Sequence, residues 1–145
     1  MKPFQLDTVL IHRKRLEDIA ANRLFEARRQ KTLVQKKLQK EDKNLETLIN
    51  KTEALQSKTI PILDLINYEN QIHYMKNNIL AIKKNLREKT GQVQKERRNL
   101  IQRSKDRQIM VSLKEQQNRS WKQYLDKKEA SMLDEIAIVR HEGRR

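Results

Sequence analysis

The sequence predicts an all-α protein, a long antiparallel two-helix coiled coil with an overhanging C-terminal helix. Of its 145 residues only two are glycine and two are proline, whereas 36% are charged and 36% are hydrophobic. Such a composition is typical of long helices and leaves few residues for turns or sheet edges. We therefore expect a rod formed by a single coiled-coil domain, residues 1–145.

The position of Pro61 predicts where the chain reverses, because it is the one proline away from the N-terminus. Proline fits the first turn of a helix and disrupts a helix interior. We expect helix one at about 5–57, a turn at about 58–61 and helix two at about 62–142. Ser57 or Thr59 is predicted to cap helix two.

Helix one is predicted from apolar residues spaced three and four apart, which become heptad-like in its second half. They are Leu6, Val9, Leu10, Leu16, Ile19, Ala20, Leu24 and Ala27, followed by Val34, Leu38, Leu45, Leu48 and Leu55. Polar Glu41 and Thr52 occupy positions where an apolar seam residue is expected. Two interpretations stay open, ordinary imperfection of a coiled coil or a face shared with a partner.

Helix two has the strongest periodicity of the chain, with apolar residues at intervals of seven: Ile72, Ile79, Leu86, Val93 and Leu100. Continuing that series places Arg107 and Lys114 on the seam. The apolar stripe instead moves to Ile109, Leu113, Leu125, Met132 and Val139.

The unequal helix lengths predict an overhang. If the helices pair in antiparallel fashion about residue 59, the start of helix one lies opposite a point near residue 115 of helix two. The rest of helix two, on the order of 45 Å long, then extends beyond helix one. That segment still carries an apolar stripe, and unpartnered apolar surface usually marks an interaction site. We expect another protein to cover it, while the isolated chain is monomeric because its two helices satisfy each other's seam.

The net charge of +14 is concentrated in two stretches. Residues 83–107 carry ten basic and three acidic residues, and residues 11–35 carry seven and three. Such stretches suit a phosphate backbone or an acidic protein surface. Aromatic residues are absent from the 83–107 stretch, so base stacking is not supported and nucleic acid is the less favoured partner.

No pattern typical of catalysis, a cofactor or a metal site is found. The sequence has no cysteine, and His12, His73 and His141 lie far apart without further ligands at matching helical spacing. We therefore predict a protein that is not an enzyme and holds neither cofactor nor metal. The start is too short and too charged for a signal peptide, and no apolar run reaches membrane-spanning length, so we expect a cytoplasmic protein.

Three segments in order carry a resemblance to a known family. The string SLKEQQNRSWKQYLDKKEASMLDEIAIVRH at the C-terminus resembles the end of the flagellar type III export protein family FliJ. The opening FQLDTVLIHRKRLEDIAANRL is similar to the family's start, and ILDLINYENQI is similar to the start of its second helix. The family's closing motif matches Leu133, Asp134, Glu135, Ile136, Ala137 and Arg140.

The resemblance implies a stalk similar to the central stalk subunit of rotary ATPases. Its expected partners are the hexameric flagellar export ATPase, the cytoplasmic domain of the export gate protein and export chaperones. Its expected location is the cytoplasm, peripherally associated with the inner membrane at the flagellar basal body. Two alternatives stay open, the equivalent stalk of virulence type III secretion and a nucleic-acid-binding or scaffolding coiled coil.

Two groups of site residues follow from these expectations. The predicted ATPase-ring contacts are Trp121, Leu125, Met132, Asp134, Glu135, Ile136, Val139 and Arg140. The predicted export-gate contacts lie near the turn, where charge is low: Leu45, Leu48, Tyr68, Ile72 and Met75. The alternative for this second group is that all five residues close the seam.

Overall fold

The computed structural model describes residues 6–143 and contains two α-helices that pack against each other, α1 (Asp7–Gln56) and α2 (Ile62–Gly143). Among these residues no strand is found, and the predicted all-α helical hairpin is confirmed. Residue 5, given above as the approximate start of helix one, and the terminal pair Arg144 and Arg145 lie outside the described residues.

Helix α1 begins after Leu6. The Leu6 carbonyl accepts the Leu10 N–H at 3.0 Å, which is the first hydrogen bond of the helix among residues 6–143. Asp7 lies in the first turn, where a carboxylate complements the positive end of the helix dipole.

The turn between the helices is closed by short-range hydrogen bonds. The Ser57 hydroxyl donates to the Ala54 carbonyl at 2.7 Å, and the Lys58 N–H donates to the Leu55 carbonyl at 3.1 Å. Ser57 therefore completes the end of α1 and does not cap α2. The Pro61 carbonyl accepts the Asp64 and Leu65 N–H groups at 3.1 and 3.3 Å, so α2 begins immediately after Pro61.

The chain forms two compact units, which we call the turn-proximal unit (Ala20–Leu100) and the terminal unit (Met1–Ile19 with Ile101–Arg145). The turn-proximal unit has an apolar seam. Its buried apolar side chains are Ala20, Leu24, Val34, Ile79 and Ile82.

Two polar residues of the turn-proximal seam, Thr52 and Glu41, satisfy their polar groups in different ways. Thr52 is buried, and its hydroxyl donates to the Leu48 carbonyl of the same helix at 2.8 Å. Glu41 is only half-buried, so its carboxylate keeps access to water.

The terminal unit has a largely polar seam. The Arg107 Nε donates to both carboxylate oxygens of Glu17 at 2.9 and 3.0 Å, and an Arg13 guanidinium nitrogen donates to the Asp106 carbonyl at 2.8 Å. Met110 is the buried apolar side chain among the described residues of this unit. Arg107 and Lys114, which continue the seven-residue series, contact α1, whereas Ile109 and Leu113 of the apolar stripe are exposed. The helix contact therefore keeps the seven-residue phase and the apolar stripe leaves it.

Candidate protein-binding site

The C-terminal segment, residues 116–143, begins where the pairing of α1 with α2 ends. The Lys114 Nζ lies 3.1 Å from the Asp7 carboxylate, and Asp7 is the first residue of α1. From Lys122 to Gly143 every residue of α2 is exposed. Within the described part of the chain, no other segment covers this stretch.

An apolar stripe runs along one face of the C-terminal segment. Leu125, Met132, Ile136 and Val139 follow each other at spacings of seven, four and three residues, which places them on one side of a helix. Their side chains are 43%, 55%, 47% and 66% exposed. A continuous apolar surface of this kind is unfavourable in water unless a partner covers it.

An aromatic pair marks the start of the stripe. The rings of Trp121 and Tyr124 stack with centroids 5.4 Å apart and planes inclined by 22°. Trp121 is half-buried, whereas Tyr124 is exposed. Aromatic side chains with one polar end are well suited to interfaces, because they bury much apolar area and keep a hydrogen-bonding group.

Two open recesses follow the stripe. One of about 670 Å³ is lined by the aromatic pair together with Gln117, Ser120, Leu125 and Lys128. A second of about 450 Å³ lies between Leu125, Met132 and Ile136. Protruding side chains and recesses therefore alternate along this face, as they do on a helix that packs against other helices.

Charged residues surround the stripe without giving it a net charge. Residues 116–143 contain five Lys/Arg and five Asp/Glu residues. Asp134, Glu135 and Arg140, which belong to the predicted ring contacts, are all exposed. The segment thus offers an apolar core with polar flanks, the general composition of a protein–protein interface.

The predicted gate residues lie in the turn-proximal unit, and all five are half-buried. The Lys51 Nζ lies 5.7 Å from the centroid of the Tyr68 ring, within the range of a cation–π interaction. Leu45, Leu48, Ile72 and Met75 contribute to the helix seam and keep only part of their surface in contact with water. Their role in binding the gate stays a prediction.

The structure exposes other apolar residues at the start of α2 that the sequence analysis did not assign to a site. Ile62, Leu63 and Ile66 are 73%, 72% and 46% exposed. The sequence does indicate this exposure, since four of the five residues from Ile62 to Ile66 are apolar. No two-helix seam can bury four of five consecutive positions, because they surround the helix.

Two carboxyl groups are held by arginines. The Arg107 guanidinium donates to Glu17 and lowers the pKa of that carboxyl, with a further contribution from a Ser104 hydrogen bond. On the surface, hydrogen bonds from Arg29 and then Gln30 lower the pKa of Glu26 to about 2. The first pair joins the two helices, whereas the second lies within α1.

Two further features bear on the kind of site present. Among residues 6–143, no three His, Asp or Glu side chains come together as a group that could hold a metal ion. Neither α1 nor α2, over the residues searched, has a stretch apolar enough to cross a membrane.

Comparison with known proteins identifies a family. A family model described as "Flagellar FliJ protein" matches residues 1–145, the whole chain. Neither the search among curated proteins nor the search among solved structures returned a match.

Proposed function

Because the chain belongs to the flagellar FliJ family, a non-catalytic component of flagellar protein export, we propose that it is the stalk that couples the export ATPase to the export gate. In this proposal the C-terminal segment inserts into the hexameric ATPase ring and promotes its activity. The residues near the turn contact the cytoplasmic domain of the gate protein. The chain also escorts export chaperones and associates peripherally with the inner membrane at the basal body.

The observation that carries the proposal is the uncovered apolar stripe of the C-terminal segment. A single helix without tertiary packing is marginally stable in water. Leu125, Met132, Ile136 and Val139 lie on one face and are each about half exposed, so a partner surface that packs along this face would bury them together. The wall of a ring's central opening provides such a surface.

The flanking charges support a ring in preference to a nucleic acid. Five basic and five acidic residues balance in residues 116–143, so the segment has no excess of positive charge for phosphates. Asp134, Glu135 and Arg140 are exposed and free to form polar contacts at the rim of a protein interface.

A double substitution tests the ring contact. Met132→Asp with Ile136→Asp places two carboxylates in the centre of the stripe, where burying an unpaired charge costs about 3 kcal/mol or more. We expect affinity for the purified export ATPase to fall at least about a hundredfold. Stimulation of ATP hydrolysis, measured with a phosphate-release assay, should be lost with it.

The matched control is Gln123→Asp with Ala130→Asp, which adds the same charge on the other side of the same helix. We expect it to bind and stimulate almost normally. Thermal unfolding of both variants should match that of the parent, because these positions are exposed in the free chain. Normal stimulation by the Met132/Ile136 variant would refute the ring contact.

For the gate contact we propose that Ile62, Leu63 and Ile66 act together with the exposed edges of Leu45, Leu48, Tyr68, Ile72 and Met75. The first three residues offer most of the exposed apolar surface at the start of α2. Ile62 and Ile66 are four residues apart and therefore lie on one face of α2, which gives the proposed contact an apolar centre.

Substitutions near the turn test this contact. Ile62→Asp with Leu63→Asp should abolish binding to the purified cytoplasmic domain of the gate protein, measured by isothermal titration calorimetry. Tyr68→Ser should weaken binding with unchanged helicity. The control Asn85→Asp with Gln94→Asp adds the same charge at exposed polar positions of α2 away from this contact. Equal loss of binding by the control, or lost helicity in Tyr68→Ser, would count against a specific contact.

A further inference from the structure

Basic side chains line the outer face of α2 in the turn-proximal unit. Lys84, Arg87, Lys95 and Arg98 lie on this face, with Lys83 beside them, and all five are exposed. We call these five residues the basic stripe. Their spacing of three and four residues is complete except at one position between Arg87 and Lys95, which is Gly91.

The basic stripe is not neutralised within the chain. Among the described residues, none of its five members takes part in an ion pair. Two acidic residues occur between 83 and 98: Glu88 is exposed, and Glu96 is half-buried and accepts a hydrogen bond from Gln92. With seven basic and two acidic residues in that range, the surface keeps a net charge of +5.

Gly91 lies in the middle of the stripe without a structural reason inside the protein. Its backbone is helical, and a Cβ built there would meet no atom within 4 Å. Glycine is unfavourable in a helix interior compared with alanine, and packing within this chain does not require it. The missing side chain leaves the α2 backbone open to close approach from outside.

We propose that the basic stripe with Gly91 at its centre is a docking surface for an acidic helix of another protein. The partner helix would cross α2 at Gly91, where the two backbones can approach closely. Its carboxylates, at spacings of three and four residues, would pair with the basic residues on both sides of Gly91. Lys84 to Arg98 spans about 21 Å of helix, which is about four turns.

Two other polyanions fit less well. Lysine and arginine reach phosphates through long flexible side chains, so duplex nucleic acid gains nothing from a glycine, and the stripe has no aromatic residues for stacking on bases. A helix that lies on an anionic membrane needs an apolar face for the interface. Over residues 80–98, Leu80 is the one exposed apolar residue in line with the basic stripe, so this face lacks the apolar surface that membrane binding requires.

The test compares two variants of the full chain in binding to a designed helical peptide with glutamates along one face. Lys84→Glu with Arg87→Glu and Lys95→Glu should abolish binding measured by fluorescence anisotropy. Gly91→Leu should weaken binding at least about tenfold. Because leucine is the better helix former, the same variant should melt about 3 °C higher, so weaker binding cannot result from unfolding.

The matched controls are Lys36→Glu with Lys37→Glu and Lys40→Glu, which makes the same charge change on α1, and Asn70→Leu, which adds a leucine elsewhere on α2. Both controls should bind the peptide like the parent. An equal loss in the α1 control, or unchanged binding by Gly91→Leu, would overturn the proposal. So would tighter binding of duplex DNA or phosphatidylserine vesicles than of the peptide.

This surface is separate from the C-terminal segment, and the inference does not depend on the ATPase contact. The basic-stripe variants should stimulate the export ATPase normally. A failure of the peptide test therefore leaves the proposed function unaffected, and a failure of the ring test leaves the basic stripe unaffected.

Discussion

The two units join the same two helices by different means. In the turn-proximal unit the contact is apolar, with Leu24, Val34, Ile79 and Ile82 buried. In the terminal unit, Met110 is the buried apolar side chain among the described residues, and Arg13, Arg107 and Lys114 form hydrogen bonds or ion pairs across to the other helix. The comparison shows that a helix pair can keep its heptad phase after its seam has become polar.

The difference has an energetic consequence. Burial of one large aliphatic side chain contributes about 1.5–3 kcal/mol, whereas an exposed ion pair contributes about 0–1 kcal/mol. We therefore expect the first turns of α1 to be held less firmly than the turn-proximal seam. The apolar residues Ile11, Ile19, Ile109 and Leu113 of the terminal unit stay exposed.

The largest expected effect comes from the apolar seam. Ile79→Ala removes a buried side chain and leaves a cavity, which should lower the free energy of unfolding by about 3 kcal/mol. Urea unfolding followed by circular dichroism measures this change. Ile136→Ala is the matched control and should cost much less, since Ile136 is exposed in the C-terminal segment. Similar losses in both variants would contradict the contrast.

A smaller effect is expected at the polar seam. Arg107→Ala removes the paired hydrogen bonds to Glu17 and should cost about 1 kcal/mol. The loss should be local, so hydrogen exchange of the amides of residues 7–19 should accelerate while those around Ile79 stay protected. Uniform acceleration in both places would show that the chain opens as one unit.

The same pair predicts a pH dependence. Hydrogen bonding from Arg107 lowers the pKa of Glu17 below its ordinary value of 4.5. The contribution of the pair to stability is therefore complete above about pH 4.5 and is lost as the pH falls through the lowered pKa. In Arg107→Ala the pKa of Glu17 should rise toward 4.5, measured from its carboxyl carbon shift by NMR. The pKa of Glu26, about 2, depends on Arg29 and Gln30 and should not change.

The smallest effect is expected for the exposed pair at the start of α1. Lys114 and Asp7 lie 3.1 Å apart, but both side chains are more than 40% exposed. Lys114→Ala should change the free energy of unfolding by less than about 0.5 kcal/mol. A loss above 1 kcal/mol would mean that the polar seam is stronger than its exposure suggests.

Much of the fold could be predicted from single features. The seven-residue interval of Ile72, Ile79 and Leu86 predicts the contact face of α2, and Pro61 marks the turn. The family model supports the resemblance first seen in the closing motif from Leu133 to Arg140. These features are local in sequence, and local patterns determine helices well.

The details of the seam could not be predicted in the same way. Whether Arg107 faces water or Glu17 depends on which residue of α1 lies opposite, and a shift of a few residues in pairing changes it. The exposure of Ile62, Leu63 and Ile66 depends on the direction in which α2 leaves the turn. The excess of basic charge over residues 83–107 is visible in the sequence, whereas the exposure of the basic stripe and the open space beside Gly91 depend on how α1 packs against α2.

The ion pair between Arg107 and Glu17 also disfavours a shifted alignment of α1 with α2. Thr52 satisfies its hydroxyl with a carbonyl of its own helix, so it would tolerate any partner on α2. Arg107 depends on its partner. If α2 were shifted by one heptad along α1 in a misfolded chain, the Arg107 guanidinium would lie opposite Leu10 instead of Glu17. A charged seam residue without its counterpart makes that slipped chain less stable, so a weak contact in the native state can still reject a wrong alignment.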